Sequence, residues 1–212
     1  MEIILSNTGK RFNREWVFRN FNYTFQPGKS YAITGPNGSG KSTLLQTIAG
    51  AIAPSEGTVE YSKASKKLKT ENSKLETENA YQYISIAAPY LEVIEEMTAT
   101  EFLEFHASFK PLLKTVTLPQ ILEITGLQAA PNKQIRFYSS GMKQRIKLAQ
   151  AIFSDVAVVL LDEPCTNLDA SGYALYHQLI NEYCSNKLII VSSNDLNEYD
   201  FCSNHISILD YK

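Results

Sequence analysis

Residues Gly35-Pro36-Asn37-Gly38-Ser39-Gly40-Lys41-Ser42-Thr43 fit the phosphate-loop pattern G-x-x-x-x-G-K-[ST]. Glycine lets the backbone turn sharply enough for successive N–H groups to point inward at phosphate oxygens. Lys41 can then reach β- and γ-phosphates, and the Ser42 hydroxyl can bind Mg²⁺. The flanks agree. Ser30-Tyr31-Ala32-Ile33-Thr34 is a short apolar strand candidate, and Leu44-Leu45-Gln46-Thr47-Ile48-Ala49 carries a helical pattern up to Gly50. Strand, loop and helix N-terminus in that order make a phosphate site. A plain glycine turn with a surface lysine would need neither flank, so the pattern predicts binding of a nucleoside triphosphate.

A second group of reactive residues follows the apolar run 156–161: Asp162-Glu163-Pro164. In a chain with a phosphate loop, an acidic pair at the carboxyl end of a strand has a use. Asp162 can hold the Mg²⁺ shell as a Walker B aspartate does, and Glu163 can polarise the water that attacks the γ-phosphate. Without the loop, the same residues would read as a polar strand end running into a proline turn.

These residues need a scaffold, and the apolar pattern supplies one. The runs 156–161 and 188–192 are continuous and strand-length, as expected of parallel strands buried on both faces. A short last strand is expected over 206–209 and another over 81–86, which would place Gln82 inside a strand. The segment 139–154 has Met142, Ile146, Ala149 and Phe153 on one helical face, with Lys143, Arg145 and Lys147 outside it. Residues 92–126 show helical spacing interrupted by Pro111 and Pro119. The first third reads as short strands, at 3–5 and 16–25, closed by the turns Pro27-Gly28 and Pro54-Ser55-Glu56-Gly57. Buried strands interleaved with helices predict an open parallel α/β sheet with ligand at the carboxyl ends of its strands. The stretch 62–80 is rich in lysine and glutamate and predicts a solvated insertion, with contact to a partner or lipid headgroups as the alternative.

Bulk properties narrow the class. A chain of 212 residues can build one good-sized domain with a buried core. The net charge of −2 gives no global basic field to recruit nucleic acid. The three cysteines have no paired spacing, so neither a disulfide framework nor a metal site is expected, and a reducing cytoplasm fits. No apolar run approaches the ~20 residues that span a bilayer. The first residues lack the basic and apolar regions of a signal peptide.

Tyr138-Ser139-Ser140-Gly141-Met142 opens the 139–154 helix. Alone it would be a serine-rich helix cap. Between a phosphate loop and an acidic strand end, it resembles the leucine-serine-glycine-glycine-glutamine signature of ABC transporter nucleotide-binding subunits. The similarity covers essentially the whole chain. Thr166-Asn167-Leu168-Asp169 matches the family's D-loop, and Phe12 lies where the family stacks an aromatic ring on adenine, with Trp16 as a second candidate. Either ring could instead pack in a core. The resemblance implies a P-loop NTPase (RecA-like) core with a parallel sheet, an N-terminal antiparallel β-subdomain (about 1–29 and 55–83) and an inserted α-helical subdomain (about 90–152). It implies ATP and Mg²⁺ as cofactors, with Ser139, Ser140, Gly141 and Asp169 contacting nucleotide. It also implies a head-to-tail dimer, in which one subunit's signature caps ATP held by the other's phosphate loop.

Two positions depart from the family. Asn194 stands where the family has a switch histidine; its amide can donate to a γ-phosphate but cannot carry a proton. His205 does not replace that histidine, and His106 and His177 read as surface helix residues. The segment Ala87-Ala88-Pro89-Tyr90 lacks the Q-loop glutamine; Tyr90 and Glu92 could each compensate, and nothing in the residues chooses between them. A competent but slow Mg²⁺-dependent ATPase is expected. The leading expectation is a peripheral subunit on the cytoplasmic face of the membrane, paired with a second nucleotide-binding subunit (its own copy before a different one) and an integral-membrane permease, with no nucleic-acid partner. The alternatives are a soluble ABC-type ATPase and a regulatory ATP-binding subunit.

Overall fold

The computed structural model describes residues 1–62, 74–75 and 77–212. The expected insertion at 62–80 therefore falls largely outside the described residues. Its end does not fit a solvated segment, because Ala80 is fully buried.

The chain begins with β1 (Glu2–Phe12) and β2 (Glu15–Phe25), an antiparallel pair running from Ile3↔Phe25 to Phe12↔Glu15 with register shifts between Leu5 and Arg11. Alternation sends Ile3, Leu5, Phe21 and Phe25 inward, and a register shift between Phe21 and Phe18, with Asn20 at φ 54°, brings Phe18 in as well. Then come β3 (Ser30–Thr34), α1 (Lys41–Ile48), β4 (Glu56–Ser62), β5 (Lys74–Leu75) and β6 (Ile84–Ala87). The helical region holds α2 (Ala99–Phe109), α3 (Leu118–Ile124) and α4 (Ser140–Ile152). The chain returns through β7 (Val158–Asp162), α5 (Ala170–Tyr183), β8 (Leu188–Ser192) and β9 (Asn204–Ser207). One sheet is antiparallel, ordered β2-β1-β4-β5, and the other is ordered β6-β7-β8-β3-β9. Every pairing in the second sheet is parallel. This is the α/β P-loop architecture expected from the sequence.

The parallel sheet separates two cores. Val158, Leu160, Leu188, Ile190 and Ile33 pack with α1 and the antiparallel sheet. Val159, Leu161, Ile189 and Val191 pack with residues of α2, α4 and α5. Each strand thus alternates between two apolar layers, and the runs read as continuous because both faces are covered. Among the described residues no helix is long and apolar enough to cross a membrane.

Four local expectations need correction. Residues 81–83 end a 3₁₀ stretch (Thr77–Tyr83) rather than start a strand, because pairing with β7 begins only at Ile84↔Val158; Gln82 is exposed and outside the sheet. Pro119 does not interrupt a helix but sits in the first turn of α3, where its missing N–H is not needed. The last strand pairs with β3 from Asn204 and gives way at Ile208 to a 3₁₀ turn (Ile208–Tyr211). His106 is partly buried against Ser154 Oγ at 2.8 Å rather than a free surface group.

Candidate functional site

The phosphate loop joins β3 to α1, with Gly35, Gly38 and Gly40 at positive φ. Gly40 has two reasons to be glycine: its φ is 99°, and a Cβ there would lie 2.3 Å from Val17 Cγ1. Lys41 is 4% exposed and folds back over the loop, donating to the carbonyls of Gly35 (2.8 Å) and Pro36 (3.3 Å). On its outer side the loop is held by Lys212 Nζ, which donates to Ser39 O at 2.6 Å and Val17 O at 2.9 Å.

Beside the loop, β7 ends in Asp162, paired with Ser192 of β8 and 2% exposed. Burial pushes its carboxyl above the usual range; the Ser42 and Ser192 hydroxyls oppose that shift. Asp162 Oδ1 is buried without a hydrogen-bond partner among the described residues, as is Ser39 Oγ. A buried carboxylate oxygen left open beside a hydroxyl suits a hard cation that takes its other oxygens from phosphates and water. The donor set of Ser42 and Asp162 therefore fits Mg²⁺.

Glu163 follows with φ 43°, and its N–H donates to Ser192 O at 2.9 Å. A left-handed conformation costs a non-glycine residue about 1–2 kcal/mol, so the surroundings must enforce it. Glu163 lines a cleft of about 290 Å³ with Phe12, Val17, Asn37, Gly38, Gly40, Lys41, Ser42 and Thr43. Phe12, at the end of β1, is 53% exposed at the mouth of this cleft rather than packed in the core. Trp16 lies outside it, with the Arg11 and Arg19 guanidinium groups 5.4 and 4.5 Å from its ring centroid. Asn194 is exposed and donates through Nδ2 to Asn37 Oδ1 of the loop at 3.3 Å.

Ser139, Ser140, Gly141 and Asp169 are brought together elsewhere. They line a separate cleft of about 440 Å³ with Met142, Arg145, Asn167 and Leu168. Ser139 caps α4, its Oγ accepting from Met142 N at 3.2 Å, and Asp169 caps α5, accepting from Gly172 N at 2.9 Å. The serine cap that the sequence also allowed is thus present, and the free N–H groups at the α4 N-terminus remain available to an anion.

The structure separates the two Q-loop candidates. Tyr90 lies near Asp162 and Gln46, and its hydroxyl is pushed up to about 12 by burial first and the Asp162 charge second. Glu92 instead shares a cleft with Glu95, Lys143 and Lys147. Lys147 donates to Ala88 O (3.4 Å) and Pro89 O (3.0 Å), tying this loop to α4. Sequence reasoning missed Gln46, Gln144 and Glu198, which are single polar residues with no repeating pattern. Only their place in the fold marks them, Gln144 and Glu198 at 3% and 4% exposure.

A parallel sheet with a glycine-rich loop at its carboxyl edge and an aspartate at the same edge, ending a strand two places along, defines a P-loop nucleotide-binding domain. The sequence profile described as ABC transporter matches residues 18–166, and the chain belongs to that family. It is 30% identical to the ABC transporter ATP-binding protein YxlF of Bacillus subtilis, over 94% of this chain but only 65% of that protein's length. It is 26% identical to the lantibiotic transport ATP-binding protein SrtF of Streptococcus pyogenes, over 97% of this chain and 85% of the relative. A solved dimeric bacterial ABC transporter cassette superposes with a TM-score of 0.77 at 25% identity, covering 97% of this chain and 94% of the other.

Proposed function

We propose that this chain is the ATP-binding and ATP-hydrolysing subunit of a membrane transporter, working as a head-to-tail dimer that drives a separate integral-membrane permease. One observation carries the dimer: the cleft of the phosphate loop and Glu163 shares no lining residue with the cleft of the signature segment. A single chain presents both halves of a site and joins neither to the other. Two copies facing head to tail would set Ser139, Ser140 and Gly141 of one against the γ-phosphate held by Gly35–Thr43 of the other.

In this reading the loop N–H groups and Lys41 hold the phosphates, and Phe12 stacks on the base through its exposed ring. Ser42 and Asp162 would hold Mg²⁺, which when bound would neutralise charge on the phosphates. Glu163 accepts a proton from the attacking water, and Asn194 donates its amide toward the γ-phosphate. Asn194 in place of an imidazole, and Tyr90 in place of a glutamine, favour slow turnover. The β-subdomain (about 1–29 and 55–83) would carry the base-stacking edge, and the Q-loop with the helical region from about Glu92 to Asn132 would meet the permease from the cytoplasmic side. The names of YxlF and SrtF support a transport role.

Glu163→Gln tests the reading. It retains ATP and removes the base, so we expect an ATP-dependent dimer in sedimentation and turnover reduced by roughly 100-fold or more. A variant that stays monomeric with ATP would sink the shared site, and one that turns over at the wild-type rate would remove Glu163 from the chemistry.

A further inference from the structure

The Pro164–Cys165 peptide, one residue beyond Glu163, is held at both of its polar ends. Pro164 O accepts from Gln144 Nε2 at 2.6 Å, and the N–H of Cys165, the other end of the same peptide, donates to Glu198 Oε1 at 2.8 Å. Both side chains are buried, Gln144 at 3% and Glu198 at 4% exposure. They come from different parts of the chain. Gln144 lies in α4, just after the signature residues Ser139 to Gly141, and Glu198 ends the 3₁₀ turn Leu196–Glu198 that follows Asn194. Glu198 is itself braced, because its carbonyl accepts from Tyr176 OH at 2.8 Å and Tyr173 OH holds Asp195 Oδ2 at 2.8 Å.

Hydrogen bonds on opposite edges of one peptide plane stop it rotating about its own axis. Rotation of that plane would swing Pro164 and, through it, Glu163, which is held at φ 43°. Proline at position 164 adds a fixed φ, so little freedom is left between the clamp and the carboxylate. Neither Gln144 nor Glu198 lines the phosphate-loop cleft. They cannot touch ATP there, and their effect must pass through the backbone.

We propose that Gln144 and Glu198 are positioning residues which clamp the Pro164–Cys165 peptide and so aim Glu163 into the phosphate-loop cleft. The clamp ties the aim of Glu163 to the signature helix on one side and to the Asn194 loop on the other. The inference rests on the reading of Glu163 as the base.

The test compares Gln144→Leu, Glu198→Leu, Glu198→Gln and Glu163→Gln for ATP affinity and kcat. Misaiming a base by about 1 Å can lower kcat by up to roughly 100-fold, so we expect both leucine variants to lose about 10- to 100-fold in kcat. ATP affinity should stay within about three-fold, because the loop is untouched. Glu198→Gln keeps an acceptor oxygen at the same reach and should restore kcat to within about three-fold of the wild type. Should the leucine variants fail to fold, Glu198→Asp decides, since its shorter side chain withdraws the acceptor. Lower kcat with intact ATP affinity supports the clamp, and an unchanged kcat overturns it. Leucine variants that fold and keep kcat, or that lose affinity in step with kcat, overturn it too, as does a Glu198→Gln as impaired as Glu198→Leu. If Glu163→Gln alone retains wild-type turnover, the base reading falls and the clamp with it; an inactive Glu163→Gln beside active clamp variants overturns the clamp only.

Discussion

The two edges of the parallel sheet bury polar groups in opposite ways. At the amino edge the groups are satisfied. Lys187 Nζ donates to Ile152 O (2.7 Å) and Ser154 O (2.8 Å), Lys110 Nζ to Ile84 O (2.8 Å), and Ser85 Oγ to Ala151 O (2.7 Å). At the carboxyl edge Ser39 Oγ and Asp162 Oδ1 are buried without partners among the described residues, and Glu163 is held at positive φ. Burial of an unmatched polar group is unfavourable, so a fold keeps such groups where something else completes them. Polar burial at the amino edge holds the fold, and polar burial at the carboxyl edge fits the proposed nucleotide site. The amino edge braces the ends of α2 and α4, whereas the carboxyl edge is left open to phosphate.

The largest break in that contrast should come from Asp162→Asn. We expect ATP turnover to fall by roughly 100-fold or more, since the carboxylate that fits Mg²⁺ is gone. Without nucleotide the thermal midpoint should rise, because burial already disfavours the Asp162 charge. A lower midpoint would make the carboxylate a structural group and erase the difference between the edges. Lys187→Met should do the reverse. It strands the Ile152 carbonyl, leaves Ser154 O with only the Val156 N–H, and should lower stability by about 1–3 kcal/mol in urea unfolding, with turnover of the folded fraction unchanged. A fully stable Lys187→Met would show that the amino edge carries no weight.

Smaller effects sharpen the picture. Asn194→Ala removes the amide that meets Asn37 and should slow hydrolysis a few-fold, roughly 1 kcal/mol, with less effect on ATP affinity. Equal losses in rate and affinity would assign the amide to ground-state binding instead. His106 gives a pH test of the amino edge. Ser154 Oγ donates to Gln150 O, so it accepts from His106, which places the proton on Nε2 of a neutral ring. Burial first and the Lys110 charge second push the imidazole down to about 4 from the ordinary 6.5. The unfolded chain therefore binds the proton more readily between these values. The stabilisation is present above pH 6.5 and is lost as pH falls toward 4. Allowing for partial solvent screening, the wild type should lose on the order of 1 kcal/mol more than His106→Gln between pH 7 and 5. Parallel losses in both proteins would remove His106 as the cause.

The phosphate loop could be read in the sequence because its chemistry is backbone chemistry. Glycines at fixed spacing, a lysine and a hydroxyl are needed whatever surrounds them. The buried runs were equally legible, since a strand covered on both faces must be apolar at every position. The β6 boundary was not, because Tyr81 and Gln82 carry strand-like residue types while pairing with β7 starts only at Ile84. Tyr90 and Glu92 could not be ranked either, being close in sequence while only Tyr90 comes near Asp162.

The sequence by itself determined that the chain has a phosphate loop, an acidic strand end and a signature-like helix start, because local spacing dictates each. Only the tertiary structure decided which groups share a cleft. It set the signature apart from the loop it resembles a partner for, seated Phe12 rather than Trp16 at the cleft mouth, and brought Gln144 and Glu198 onto one peptide. Those contacts depend on how helices and loops distant in sequence settle around a common sheet, and no local pattern encodes them.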